Sequence, residues 1–122
     1  MTRVLLIGIA PDAVNFSDPD LPPGLTADTV AAGIDKALAD MKARGWEADF
    51  CALRTDDTAE ATIAAALRER PDCVIGGGIR MPRSNLLFFE RVVNAIGRHA
   101  PGTPVAFNTS PEDSTAAAGR WV

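Results

Sequence analysis

The first apolar run of the chain, VLLIGIA at residues 4–10, is the feature that most limits the fold. Its length suits a strand, and Pro11 ends it. A strand with one wet face alternates apolar and polar residues, whereas an unbroken apolar run indicates a strand that is covered on both faces. Such strands belong to parallel sheets, because their crossover connections place helices on both sides. The run therefore predicts an α/β domain.

The rest of the chain alternates helix and strand patterns with short connections. Predicted helices cover 26–44, 58–70 and 85–99, and a short Ala-rich helix follows Pro111. Further predicted strands cover 46–53, 73–79 and 104–107. This alternation implies right-handed βαβ units. We predict one domain over residues 1–122, a three-layer α/β/α fold with a short four-stranded parallel sheet. Its expected topology is flavodoxin-like or Rossmann-like, with strand order 2-1-3-4, one strand shorter than in flavodoxin.

Composition limits the classes of partner. The chain has 47% apolar and 23% charged residues and a net charge of −4, whereas nucleic acids and anionic membranes attract basic proteins. The first apolar run is too short for a membrane span and lacks a signal-peptide cleavage pattern. We expect a cytoplasmic protein that binds neither nucleic acid nor membrane. Cys51 and Cys73 fall in different strands as buried free thiols, and with one histidine no metal site is predicted.

A ligand site in such a sheet is expected at one place. Ligands of open parallel sheets bind beyond the carboxyl ends of the strands, where the strand order reverses. In the predicted order, that point is the crevice between the first and third strands. The loops facing it are 11–24, 76–84 and 108–113.

The loop after the third strand, GGGIRMPRSN at 76–85, is the most suggestive of the three. Glycines let backbone N–H groups approach a ligand closely, Arg80 and Arg83 supply forked donors, and the helix starting near Asn85 favours anions. These features predict a site for a phosphate, a nucleotide or a carboxylate. The alternative is that the glycines serve packing and a turn, while the arginines pair with nearby acids.

The other two loops add polar groups. Asp12, Asp18 and Asp20 follow the first strand, and pairing with Arg80 or Arg83 is favoured over a metal site. Asn108 and Thr109 follow the fourth strand, where they complete a polar pocket or act as ordinary turn and cap residues. The predicted ligand-binding residues are Asp12, Gly76, Gly77, Gly78, Arg80, Arg83, Asn85, Asn108 and Thr109.

The sequence leaves open whether the chain is an enzyme, and it indicates no cofactor. No nucleophile stands out, and Asp12 is the nearest candidate for a general base. His99 falls at the opposite end of the sheet, in the last turn of a helix. Receiver domains, flavodoxins and low-molecular-weight tyrosine phosphatases share this kind of fold, but their acidic pair, hydroxyl-rich loop and nucleophilic cysteine are absent after the first strand. The GxGxxG and Walker A motifs are absent too.

A second hypothesis is a non-catalytic module for homo-oligomerisation or protein interaction. The predicted core face of the helix at 85–99 consists of Phe89, Val92, Val93 and Ile96. Phe88 then falls on the flank and Leu87 on the outer face. The fourth strand is left as an edge, and the apolar pair Trp121 and Val122 follows. Exposed edges and outward apolar groups are typical of subunit contacts, so we also expect a homo-oligomer.

Overall fold

The computed structural model describes residues 1–79 and 82–122. Within them lies a four-stranded, fully parallel sheet of order β2-β1-β3-β4. Its strands are β1 (Arg3–Ile9), β2 (Glu47–Leu53), β3 (Cys73–Gly77) and β4 (Val105–Phe107). The predicted fold class and strand order are confirmed.

Helices cover both faces of this sheet. They are α1 (Ala27–Ala43), α2 (Ala59–Leu67), α3 (Leu86–His99) and α4 (Ser114–Gly119). One hydrophobic cluster joins α2 and α3 to the sheet, and a second joins α1 and α4 to its other face. This gives the three layers of an α/β/α fold. None of the described helices is long and apolar enough to cross a membrane.

The central strand β1 shows why the first apolar run determines the architecture. Successive side chains of a strand point to opposite faces. Leu5 and Ile7 belong to the cluster beneath α2 and α3, whereas Val4 and Leu6 belong to the cluster beneath α1 and α4. All four side chains are buried. An unbroken apolar run is therefore required, because neither face of β1 meets water.

The ends of several elements differ from their predicted positions. The strand predicted to reach residue 79 ends at Gly77, because Gly78 adopts a φ of +65° and leaves the extended region. The helix predicted over 58–70 ends at Leu67, and Arg70 takes a φ of 52°. The helix predicted from 85 begins at Leu86, after a 3-10 turn at Arg83–Asn85.

The predicted core face of α3 is wrong for Phe88. Its side chain is only 8% exposed and lies in the core with Val92 and Ile96, whereas Phe89 and Val93 are only partly buried. The buried face of α3 is turned towards α2. Arg98 of α3 donates two hydrogen bonds to Glu60 of α2. Leu87 is 71% exposed, as predicted.

Candidate functional site

The carboxyl ends of β1, β3 and β4 lie at one edge of the sheet, which we call the crest. The described segments that form it are 10–26 after β1, 78–79 and 82–85 after β3, and 108–113 after β4. The strand order reverses between β1 and β3, so the crest contains the crevice in which this kind of sheet binds ligands. Arg80, the main predicted cation, lies outside the described residues, and its role stays a prediction.

The glycine run at the end of β3, residues 76–78, is explained by close packing and by backbone conformation. A Cβ at Gly76 would lie 2.8 Å from two ring atoms of Phe107, which is closer than real Cβ contacts come. A Cβ at Gly77 would lie 3.2 Å from a methyl of Leu6. Gly78 needs its positive φ and is exposed, so its backbone is accessible from solvent. Close packing therefore explains Gly76 and Gly77, while Gly78 remains open to a ligand.

Arg83 is bound to Asp20 of the loop after β1. Its Nε and Nη2 donate to Asp20 Oδ2 and Oδ1 at 3.0 and 2.9 Å, and its backbone N–H donates to Oδ2 at 2.9 Å. These bonds to Arg83 lower the pKa of Asp20 to about 2. Beside them, the Ser84 hydroxyl donates to Asp18 Oδ2 at 2.5 Å. The predicted pairing of this acidic loop with Arg83 is confirmed for Asp20, whereas Asp18 accepts from Ser84.

Asp12 turns in the other direction, towards the end of β2. Its Oδ2 accepts a hydrogen bond of 2.7 Å from Nη2 of Arg54, and both side chains are exposed. The hydrogen bond from Arg54 lowers the pKa of Asp12. A lowered pKa makes a carboxylate a weaker general base at neutral pH. Sequence reasoning missed Arg54, although the predicted parallel order places the end of the second strand at the same edge of the sheet as the loop after β1.

Residues 11–24 therefore form a strap across the crest, attached to Arg54 near its start and to Arg83 near its end. Ala10 also donates its backbone N–H to the carbonyl of Leu53 at 2.7 Å. The Asp18 carboxylate accepts from a hydroxyl and the Asp20 carboxylate from a guanidinium. These donors take the carboxylate oxygens that a metal ion would need. In the described part of the chain, no group of three or more His, Cys, Asp or Glu residues is arranged to hold a metal.

Asn108 lies at the end of β4, beside the glycine run. Its side chain is 4% exposed, and its Nδ2 donates to Ser114 Oγ at 2.9 Å. The position of a Cβ on Gly77 would be 3.6 Å from that nitrogen, so the amide lies directly against the β3 backbone. Asn108 is thus a fixed polar group at the base of the crest.

Thr109 and Ser110 behave as cap residues. Their backbone N–H groups donate to Asp113 at 3.0 and 3.3 Å, and the Thr109 hydroxyl also donates to Asp113. Desolvation raises the pKa of Asp113, but these bonds outweigh it and the net pKa is lowered. This geometry favours the turn-and-cap interpretation of Thr109. Asn85, at the N-cap of α3, makes no side-chain hydrogen bond to the described first turn.

The described residues also line two grooves. One is apolar, has a volume of only about 10 Å³, and lies between α3 and β4, with Phe89, Val93, Val105 and Phe107 in its walls. The other lies near the start of β1, beside Arg3 and Glu69. Gly76 is the one described member of the predicted set that lines either groove. Sequence reasoning missed the first groove. The two aromatic residues Phe89 and Phe107 were the features of the sequence that pointed to it.

His99 ends α3 and the two cysteines lie within β2 and β3, so none of the three belongs to the crest segments. His99 Nε2 lies 3.4 Å from Glu60 Oε1, and the hydrogen bond from Arg98 lowers the pKa of Glu60. Both thiols are free and buried, and burial raises the pKa of Cys51 to about 11.

No family model, no curated protein and no solved structure matches this chain.

Proposed function

We propose that this chain binds an anionic small molecule, a phosphate, a nucleotide or a carboxylate, at the crest. The observation that carries the proposal is the exposed backbone of Gly78, which follows β3 directly at the point where the strand order reverses. The crevice between β1 and β3 is the usual ligand position in such sheets, and the Asp20–Arg83 pair joins the loops that follow these two strands.

Arg80 is the cation that we assign to the ligand. Arg83 is held by Asp20 through both its side chain and its backbone N–H, so its fork is already committed. A second arginine three residues earlier on the same loop supplies a forked donor of the type that carboxylates and phosphates bind. In this proposal Arg83 holds the strap, and Arg80 neutralises the ligand.

Backbone groups supply the other contacts. Gly78 is exposed and has no side chain, so a ligand can approach its peptide groups closely. Asn85 leaves the described first turn of α3 without a side-chain cap, and helix N-termini favour anions. Asn108 orients the base of the site through its bond to Ser114. If a reaction takes place here, Arg80 stabilises negative charge that develops on the bound molecule.

Two further parts of the proposal concern location and assembly. Two buried free thiols suit a reducing compartment, so we place the protein in the cytoplasm. Homo-oligomerisation is the second candidate function, favoured by the exposed leucines Leu86 and Leu87 of α3 and by the edge position of β4. The two functions are compatible, because the ligand would bind beyond the carboxyl ends of the strands and a subunit contact would lie along the outer strand β4.

A thermal-shift screen tests ligand binding. Wild type, Arg80→Ala and Arg91→Ala are each screened with inorganic phosphate, nucleotides, flavins, dicarboxylates and divalent metals. A ligand at a hundred times its dissociation constant stabilises the folded state by about 2.7 kcal/mol. For a domain of this size, that raises the melting temperature by about 10 °C.

We expect an anion to raise the melting temperature of wild type and Arg91→Ala but not that of Arg80→Ala. Arg91 is the matched control, because it is an exposed arginine of α3 outside the crest segments. Unliganded melting temperatures show whether Arg80→Ala folds as the wild type does. The proposal is overturned if no anion stabilises the wild type, or if Arg80→Ala keeps the full shift.

A further inference from the structure

The outer strand β2 lies at the opposite edge of the sheet from β4, and among the described strands it pairs with β1 alone. Glu47 donates its backbone N–H to the carbonyl of Thr2, and the Leu53 carbonyl accepts from Ala10 at the other end of the strand. Alternate residues of a strand direct their backbone groups to opposite sides, so every second residue from Glu47 faces β1. The residues whose backbone groups point to the open edge are Ala48, Phe50 and Ala52.

The two faces of β2 differ in character. Cys51 packs in the cluster beneath α2, and side chains alternate along a strand, so Glu47 and Asp49 lie on this α2 face, where both are exposed. Phe50 packs against the cluster beneath α1, and Ala52 follows on that face with its side chain exposed. A strand added at this edge therefore meets carboxylates on one face and apolar groups on the other.

A groove of about 260 Å³ lies on the α2 face beside β2. Ala66 and Pro71 give it apolar walls, and its charged lining residues are Arg3, Asp49 and Glu69. Pockets for drug-sized molecules measure roughly 300–1,000 Å³, so this groove is smaller and suits one long side chain.

The charge of this groove favours a cation, because its one guanidinium is already bound. Arg3 Nε and Nη2 lie 2.8 and 2.7 Å from Glu47 Oε2, and Nη1 donates to the backbone carbonyl of Glu69 at 2.5 Å. The exposed Glu69 carboxylate lies further away, 3.6 Å from Nη1. Three carboxylates, those of Glu47, Asp49 and Glu69, thus stand around one committed cation, and an incoming positive charge is attracted.

We propose that the β2 edge binds an extended segment of a partner protein in which basic residues alternate with apolar ones. The segment adds a strand to the sheet by pairing with the outward backbone groups of Ala48, Phe50 and Ala52. One lysine or arginine of the segment enters the groove, with its stem along Ala66 and its charge at Asp49. The next residue of the segment points to the other face, where its apolar side chain lies beside Phe50.

A second copy of this chain is a poorer occupant of the same edge. Two β2 strands paired edge to edge bring Glu47 and Asp49 of both copies into one sheet, and each copy carries a net charge of −4. A basic segment meets opposite charge there, and like-charge contacts reject the wrong partner. Charge complementarity therefore selects a basic segment.

Two synthetic hexapeptides test the proposal independently of any crest ligand. The probe alternates lysine with valine, and the control alternates glutamate with valine, each acetylated and amidated at its ends. Titration calorimetry measures their dissociation constants for the wild type. We expect the lysine peptide to bind and the glutamate peptide not to bind, because its carboxylates would face those of Asp49 and Glu69.

Two pairs of variants separate strand pairing from charge. Ala52→Pro removes an outward N–H, which edge strands tolerate, whereas Ala52→Ser keeps it. Asp49→Lys reverses the charge at the groove, and Glu90→Lys makes the same reversal on α3, which lies beside β4 at the opposite edge. We expect Ala52→Pro and Asp49→Lys each to weaken binding of the lysine peptide by about tenfold or more, and the two controls to leave it unchanged. Melting temperatures without peptide show that each variant is folded.

Hydrogen exchange locates the contact. Protection of the amides of Ala48, Phe50 and Ala52 is expected to rise when the lysine peptide is added. The proposal is overturned if this peptide does not bind the wild type at millimolar concentration, or if Ala52→Pro binds it as tightly as Ala52→Ser does. It is equally overturned if the glutamate peptide binds as well. Protection of the β2 amides that rises with protein concentration alone would assign the edge to a second copy and would also overturn it.

Discussion

The side-chain amide of Asn108 donates a 2.9 Å hydrogen bond to the hydroxyl of Ser114, and both residues are buried. The bond joins the end of β4 to the first residue of α4. A buried polar group retains its partner because desolvation without a hydrogen bond is costly. This pair therefore holds α4 close to the base of the crest.

Removing Asn108 is expected to destabilise the fold. Asn108→Ala leaves the Ser114 hydroxyl without its donor inside the protein, and such a loss costs about 1–3 kcal/mol. Urea denaturation of wild type, Asn108→Ala, Ser114→Ala and the double variant measures the free energies of unfolding. Coupling of about 0.5 kcal/mol or more between the two sites is expected, because they share one bond. Fully additive losses would contradict this interpretation.

A methyl group at Gly76 is expected to disrupt the packing between β3 and β4. The added Cβ would lie 2.8 Å from the Phe107 ring, and such overpacking costs about 1–3 kcal/mol. Gly97→Ala is the matched control, because its Cβ meets no atom within 4 Å and alanine favours a helix by about 1 kcal/mol. Thermal melts at low protein concentration compare the melting temperatures of wild type, Gly76→Ala and Gly97→Ala. Repeating Gly76→Ala in a Phe107→Leu background should reduce the loss, and an unchanged loss would mean the ring is not its cause.

Most of the fold could be predicted from the sequence because its signals are local. The apolar run of β1 indicates a strand that is covered on both faces, and the helices between strands then require parallel pairing. The face of α3 was less predictable. Helical periodicity places Phe88 and Phe89 only ~100° apart, and the packing of α3 against α2 decides which ring is buried.

The crest was predictable in position but not in its pairing. Sequence alone indicates that aspartates and arginines meet at this edge, yet it does not assign Asp20 to Arg83, 63 residues away. Arg54 was missed as the partner of Asp12 because its position depends on the register of β1 with β2. The cause of the Gly76 requirement was equally hidden, since it depends on where the Phe107 ring packs.

Acid is expected to release the strap at Asp20. Its hydrogen bonds from Arg83 lower the folded-state pKa to about 2, whereas an unfolded aspartate titrates near about 3.9. A lowered folded pKa stabilises the protein above the unfolded pKa, and that contribution is lost as pH falls from about 4 towards 2. Urea denaturation between neutral pH and pH ~2.5 should show wild type and Asp20→Asn converging in stability as acid is added.

The Arg83→Ala background is the control for this titration. Without the guanidinium, the first cause of the lowered pKa is gone, and Asp20→Asn should change stability by a smaller and less pH-dependent amount. High salt should reduce the effect in the Arg83 protein, since Arg83 is exposed and surface charges are screened. A pH profile that is identical with and without Arg83 would show that the pair does not control the titration.

Both cysteines are expected to resist alkylation while the protein is folded. Cys51 is 6% and Cys73 is 0% exposed, and burial raises the pKa of both thiols, that of Cys51 to about 11. The thiolate is the reactive form, so little of it exists at mildly alkaline pH, and the reagent lacks access as well. Cys51→Ser and Cys73→Ser, each with one remaining thiol, separate the two sites in a timed reaction with iodoacetamide. Reaction should be complete in denaturant and limited by opening of the fold without it. Rapid labelling of either folded variant, at the rate of a free thiol, would show that its strand is not covered as described.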